Sequence, residues 1–340
     1  ADMKELDVRG AGFFADGQEV FLYTLRGEDG ISLTVTNLGA SAIAMTVAGR
    51  DVLLGFGKLS AQLEKGPMFG ATLGRYAGKI CGASYTQGGR EVSLSRSHGD
   101  DHAHGGCRGF DKRVFQTVHL ETDCIRYRYV SPDGEEGYPG TLTLDVTYRL
   151  LAGSTVRVEY DVTSDADTIC GISNHMYFNL LGNGAGNADA QHLKLLSHRY
   201  QPLCGGKPSG KLLDVTNTPM DFTAGAMLSE RAAQLDGDLD HDFALDVRSG
   251  EPAAVLTELK SGLSMSVYTD MPCVHVYLAD FGDMRYPGKD GAVYTGRCGI
   301  CFEPMYLSDC LHSGLGEMPY LKAGETRHSE TTLRFAQNGI

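Results

Sequence analysis

Residues 141–163 alternate apolar and polar side chains almost without a break. In TLTLDVTYRL (141–150), Leu142, Leu144, Val146, Tyr148 and Leu150 share one face of an extended chain, and Thr141, Thr143, Asp145, Thr147 and Arg149 share the other. TVRVEYDVT (155–163) repeats the pattern with Val156, Val158, Tyr160 and Val162. A period of two is the repeat of a half-buried strand, whereas a helix would scatter these residues around its circumference. The intervening LAGS (151–154) suits a hairpin. The same alternation recurs in ISLTVT (31–36), CIRYRYV (124–130), LSMSVY (263–268) and VHVYLA (274–279). The 44 glycines fall largely between such runs, where turns need them.

Helical patterns are short and confined to SAQLEK (60–65) and SERAAQL (229–235). Strands do not alternate with helices, which argues against a parallel doubly wound sheet. The expectation is an all-β chain: one large antiparallel β-sandwich with few short helices and polar outer faces, forming a single domain over 1–340.

Charge narrows the function classes. Lys and Arg number 30 against 43 Asp and Glu, a formal charge of −13. A polyanion is repelled by such a chain unless a basic patch exists, and the densest basic run, Arg126 to Arg128, merely alternates along a strand, so no nucleic-acid partner is expected. No run of 18 apolar residues offers a membrane span. The nine cysteines are odd in number and irregular in spacing, which does not read as a disulfide framework. With no apolar leader in ADMKELDVRG, the expectation is a reduced, cytoplasmic protein, monomeric or homodimeric. Neither a phosphate-binding G-x-x-x-x-G-K-[ST] loop nor a dinucleotide fingerprint is present, and no cofactor is expected.

Several stretches carry candidate chemistry. If GISNHMYFNL (171–180) is one strand, Ser173, His175, Tyr177 and Asn179 point one way while Ile172, Asn174, Met176 and Phe178 point the other. The first face is polar yet lacks Lys, Glu and Asp, as a cleft of neutral donors and acceptors would; a hydrogen-bonded seam with a satisfied histidine is the plainer alternative. In GICFEPMYLSDC (299–310), Glu303 lies out of phase with Phe302 in an apolar run, where lost hydration raises a carboxyl toward the range of a general base; pairing with a distant Arg or Lys is the alternative. SHGDDHAHGGCRGFDK (97–112) holds His98, His102 and His104 beside Asp100 and Asp101. Its spacing matches no zinc pattern, and a loop presenting His104 is preferred to a metal site. Cys298 and Cys301 form a C-x-x-C on a strand, where residues three apart face opposite sides, and read as core thiols. LDHDFAL (239–245) places Asp240, His241 and Asp242 on a turn entering a strand.

In order, TNLGA (36–40), GRYAGKI (74–80), HGGCRGFDK (104–112), SPDGEEGYPG (131–140), SNHMYFNL (173–180), LDHDF (239–243), GICFEPM (299–305) and LKAGET (321–326) resemble the galactose mutarotase, or aldose 1-epimerase, family over nearly the whole chain. The resemblance implies a β-supersandwich with a sugar cleft on its concave sheet, a free aldose as substrate, and neither cofactor nor metal. It implies Glu303 as the base that takes the proton of the anomeric hydroxyl, His175 as the acid that protonates the ring oxygen, and His104 as a second histidine near that oxygen. It implies Asp240 as a carboxylate that orients sugar hydroxyls, with Tyr177 in the binding segment. Three sugar-contacting places depart from the family. Gly78 and Lys79 stand where Asn-Arg is usual, and His275 stands where a hydroxyl-binding Gln is usual. Phe115 replaces a usual Trp, and the chain has no Trp. The expected activity is interconversion of the α and β anomers of galactose or glucose. An epimerase of a hexose 6-phosphate and a non-catalytic sugar-binding or sensing protein are the rivals.

Overall fold

A computed structural model describes residues 6–246 and 250–337. Among these, the ladders between named strands are antiparallel and gather mainly into three sheets. A nine-stranded sheet runs in the order Gln116–Leu120, Cys124–Ser131, Leu142–Leu151, Thr155–Ser164, Thr326–Gln337, Leu263–Thr269, Ala254–Glu258, His192–Leu195 and Ala226–Met227. A five-stranded sheet comprises Asp7–Ala15, Gln18–Arg26, Ser32–Thr36, Ser41–Val47 and Arg50–Asp51. A six-stranded sheet runs Tyr177–Phe178, Gly299–Met305, Cys273–Ala279, Asp240–Ala244, Arg199–Gln201 and Leu213–Asp214.

Alternation does the sorting. Leu144, Val146 and Tyr148 of the large sheet meet Leu33, Val35 and Met45 of the five-stranded sheet, and Val274, Val276, Ile300 and Phe302 of the six-stranded sheet, in one apolar cluster. The expected hairpin forms: Leu150 pairs with Val156 and Leu151 with Thr155. Among the described residues, helix is confined to short pieces: seven 3-10 turns, the longest at Leu59–Leu63, and α-helices at Leu228–Ala232 and Cys310–Ser313, the last unforeseen. The outer face of the six-stranded sheet differs from expectation: Cys273, Tyr177, Cys301, Glu303 and Met305 are buried rather than solvated.

The segment 171–180 is not one strand. Ser173 and Asn174 pair with Leu73 and Thr72, whereas Tyr177 and Phe178 pair with Cys301 and Ile300. The chain changes ladders at His175 and Met176, and its polar residues serve that break. Asn174 donates to the Gly70 carbonyl at 2.9 Å, and Asn179 donates to the carbonyls of Gly186 (2.8 Å) and Cys298 (3.1 Å). Buried backbone acceptors left free by a strand break need such partners.

Candidate active site

Glu303, on the Gly299–Met305 strand, projects away from the core because Ile300 and Phe302 take the inward positions. It is 1% exposed, and its Oε1 has no hydrogen-bond partner. The Nε2 of His175 lies 3.8 Å from that oxygen. Burial pushes the Glu303 carboxyl up to about 8; the charge of His275 pulls it back, while Asp240 and Asp242 add to the rise. Burial, reinforced by His104 and His275, lowers His175 to about 3. Burial thus favours the neutral form of both groups, the protonated carboxyl and the unprotonated imidazole.

His104 takes a left-handed conformation at φ +49° in a loop that only glycine can continue. A Cβ on Gly105 would stand 1.7 Å from the Gly74 carbonyl oxygen. The His104 amide donates to the Gly78 carbonyl at 3.0 Å, and the Gly78 amide donates back to His104 Nδ1 at 3.2 Å. That return bond makes Nδ1 an acceptor, so the neutral ring carries its proton on Nε2. Burial, with the charge of His275, lowers His104 to about 4 and keeps the ring neutral. Gly78 itself sits at φ +99°, and a Cβ there would lie 2.6 Å from Met305 Cε. Gly78 thus contributes a backbone amide and leaves no room for a side chain.

Tyr177 stacks on His175 with ring centroids 4.9 Å apart and planes 18° from parallel, which fixes the imidazole plane. Lys79 donates from Nζ to the Gly206 carbonyl at 3.3 Å, reaching the hairpin of Leu203–Cys204 and Lys207–Pro208. A second tie, Lys207 Nζ to Asp101 Oδ1 at 3.0 Å, holds the same hairpin. Beneath it lies a cleft of about 240 Å³ whose walls include Gly78, Lys79, His104, Asp240, His275 and Met305.

Asp240 and Asp242 share a face of the Asp240–Ala244 strand, and both reach His275 on the next strand. His275 Nε2 lies 2.6 Å from Asp240 Oδ1, and Nδ1 lies 2.6 Å from Asp242 Oδ1. Burial opposes charge on the ring, but the two carboxylates outweigh it and hold His275 well above the usual histidine range. Burial likewise opposes the Asp240 carboxylate, and His275 overrides it, keeping the group at about 2.

Of the expected site residues, Gly78, Lys79, His104, Asp240 and His275 line this cleft; Glu303, His175 and Tyr177 are buried beside it, Glu303 as the cross-strand partner of His275, His175 against Glu303 and His104, and Tyr177 stacked on His175. Asp242 and Tyr277 were not singled out as site residues. Their signal was period two: Asp242 is two residues from Asp240, and Tyr277 two from His275. His102 faces elsewhere, its Nε2 2.6 Å from the Tyr138 hydroxyl and its Nδ1 2.7 Å from the Ser95 carbonyl. All nine cysteines are free; Cys298 and Cys301 are buried, with Cys301 Sγ 3.5 Å from His175 Nδ1.

His104, His175 and Glu303 place potential ligand atoms within 4.8 Å of one another, a donor set that suits zinc. The His104 tautomer opposes it, because Nδ1 is occupied by an amide proton and Nε2 bears the ring proton. The arrangement is built to donate a hydrogen bond. A larger cavity of about 780 Å³ shares His98, Ala103 and His104 with the cleft and is lined by Lys65, Arg96, Arg108 and Lys112. Three of these four have their own carboxylates: Arg96 with Asp100, Arg108 with Asp16, and Lys112 with Asp111.

A β-sandwich whose six-stranded sheet carries a buried carboxyl and imidazole next to a cleft of about 240 Å³ has the galactose mutarotase-like fold. Comparison with known proteins identifies the family. Residues 22–334 match the aldose 1-epimerase family model. The chain is 33% identical to mouse galactose mutarotase over 329 residues, covering 94% of this chain and 95% of that protein. It is 30% identical to Escherichia coli K12 aldose 1-epimerase over 335 residues, covering 94% and 96%. Among solved structures, galactose 1-epimerase from Lactobacillus acidophilus superposes with a TM-score of 0.85 at 24% identity, covering 98% of this chain and 100% of that one. The GalM/aldose epimerase homologue from C. elegans gives 0.87 at 23% identity, covering 94% and 99%. This chain belongs to the aldose 1-epimerase family and is an isomerase acting on carbohydrates.

Proposed function

We propose that this protein interconverts the α and β anomers of a free aldose, galactose or glucose by preference, through acid–base opening of the pyranose ring. The observation that carries the reading is the Glu303–His175 pair, buried at 3.8 Å with one carboxyl oxygen unpartnered. A sugar whose anomeric O1–H donates to Glu303 and whose ring O5 accepts from His175 moves the carboxyl proton to the imidazole. Glu303 then removes the O1 proton, the electrons of that O–H bond form the carbonyl, and the C1–O5 bond breaks as His175 protonates O5. Rotation about C1–C2 turns the aldehyde over, and the reverse transfers close the ring on its other face. Protons and electrons balance without a further reactant. Each group contributes roughly 10²–10⁴-fold. The Nε2–H of His104 supports the ring oxygen, and Asp240 orients hydroxyls at the cleft mouth.

Three of the four cations of the larger cavity, Arg96, Arg108 and Lys112, are already paired with carboxylates, which favours a free sugar over a hexose 6-phosphate. Polarimetry on freshly dissolved α-galactose, α-glucose, α-arabinose and glucose 6-phosphate tests the reading. Faster loss of rotation with a free aldose is expected. Binding without acceleration for every sugar would make the protein a sensor, and saturation by the phosphate alone would make it a sugar-phosphate epimerase.

A further inference from the structure

We propose that Asp242, His275 and Asp240 form one charge-locked clamp that aims the free oxygen of Asp240 into the cleft and keeps a fixed positive charge beside Glu303. The inference rests on the assignment of Glu303 as the base.

Strand register builds the clamp. Asp242 is the direct cross-strand partner of His275, and His275 is the direct cross-strand partner of Glu303. Three ionisable groups therefore stand in a row across adjacent strands. Both imidazole nitrogens lie 2.6 Å from carboxylate oxygens. An ionised carboxylate only accepts, so both nitrogens donate and the ring is an imidazolium. The buried end is anchored: Asp242 accepts from the Ser308 amide at 2.6 Å, the Ser308 hydroxyl at 3.2 Å and Gln201 Nε2 at 3.1 Å. The other end is open, with the Asp240 side chain 49% exposed against 3% for Asp242.

Two consequences follow from this geometry. His275 has no N–H left for a sugar hydroxyl, so its influence on the substrate passes through Asp240 and it is a positioning residue. Its charge also lies next to the base. The groups around Glu303 and His275 are Asp240, His241 and Asp242 on one neighbouring strand, Tyr277 beside His275, and Cys301 and Tyr177 beyond Glu303. His104, His175 and, on the cleft wall, Lys79 complete the surroundings. Within the clamp, His275 leaves one net negative charge; without it two stand beside Glu303, and the carboxyl holds its proton more tightly.

The experiment measures kcat/KM against pH by polarimetry for the wild type, H275Q, D242N, the D242N/H275Q double variant and E303Q. Wild-type activity is expected to fall above about pH 8, as the Glu303–His175 pair gives up its proton. H275Q should move that limb to higher pH and raise KM more than it lowers kcat, because Asp240 is released. D242N, which keeps an acceptor for Nδ1 but removes a negative charge, should move the limb to lower pH. It serves as the test where H275Q folds poorly. The double variant removes one charge of each sign and should return the limb toward wild type. Inactive E303Q combined with unmoved limbs in H275Q or D242N would overturn the clamp and leave the base assignment standing. Full activity in E303Q would instead overturn the base assignment.

Discussion

Glu303 is held where an ionised carboxylate is least welcome, and this links the base proposed for the reaction to the stability of the fold. Its folded-state value of about 8 lies above that of an unfolded glutamate. The sign follows from linkage: a raised value contributes stability that is fully present below the unfolded value and is lost as pH rises through about 8. Glu303→Gln cannot ionise. It should lower turnover by about a hundredfold or more, the worth of a general base, and its melting temperature should gain on the wild type between acid pH and pH 9. Melts at both pH values, with polarimetry, check this; a gain equal at both would show that the folded-state value of Glu303 is not raised above the unfolded one. At this scale the sequence was informative because phase marks the residue: Glu303 follows Phe302 and cannot share its face. What phase does not supply is a partner. That Asp242 meets His275, 33 positions away, depends on which strands lie side by side, and residues 239–245 read by themselves as a solvated turn.

At the scale of elements, the cleft is roofed by a short hairpin with few ties. The Nζ of Lys79 bonds the Gly206 carbonyl, and Lys207 bonds Asp101. Lys79 is therefore a tie to the roof as well as a cleft wall. Lys79→Met should raise KM by up to about tenfold, the worth of about one hydrogen bond to a charged group, with a smaller effect on kcat. It should also speed proteolytic nicking at Cys204–Lys207, since loop tips with few anchors are cut first. Unchanged KM and nicking would separate Lys79 from the roof. The long strands of this fold were legible, as Leu142–Leu151 and Thr155–Ser164 illustrate, because ten residues of strict alternation leave one choice of face. The short ones were not: Ser173–Asn174 and Tyr177–Phe178 are two residues each, too brief for a period to declare itself, so 171–180 read as continuous.

Across the whole molecule, the most distinctive stretch of sequence does no chemistry. SPDGEEGYPG (131–140) wraps the guanidinium of Arg75, which is 1% exposed. Arg75 donates to the Ser131 hydroxyl (2.9 Å) and to the carbonyls of Ser131 (3.0 Å), Pro132 (2.9 Å), Pro139 (3.0 Å) and Gly140 (2.8 Å). Glu136 of the same loop accepts from the amides of Cys107 (2.9 Å) and Arg108 (3.0 Å). Arg75 lies three residues before Gly78, and Cys107 three after His104, so one loop braces both halves of the Gly78–His104 pair. Sequence alone could not assign this role, because a motif marks where a family is constrained and not whether the constraint is chemical or mechanical. The overall strand order was equally hidden, since Thr155–Ser164 finds its partner in Thr326–Gln337, at the far end of the chain. Arg75→Met should therefore act through the fold. Stranding several buried carbonyls at about 1–3 kcal/mol each should lower the unfolding free energy by on the order of several kcal/mol, read as a sharply lower urea midpoint. Glu136→Gln keeps one acceptor oxygen for the two amides and should cost less. In folded Glu136→Gln, KM should rise through a loosened His104 while the pH limb that reports the Glu303–His175 pair stays in place. A shifted limb would mean that the loop reaches the acid–base pair directly.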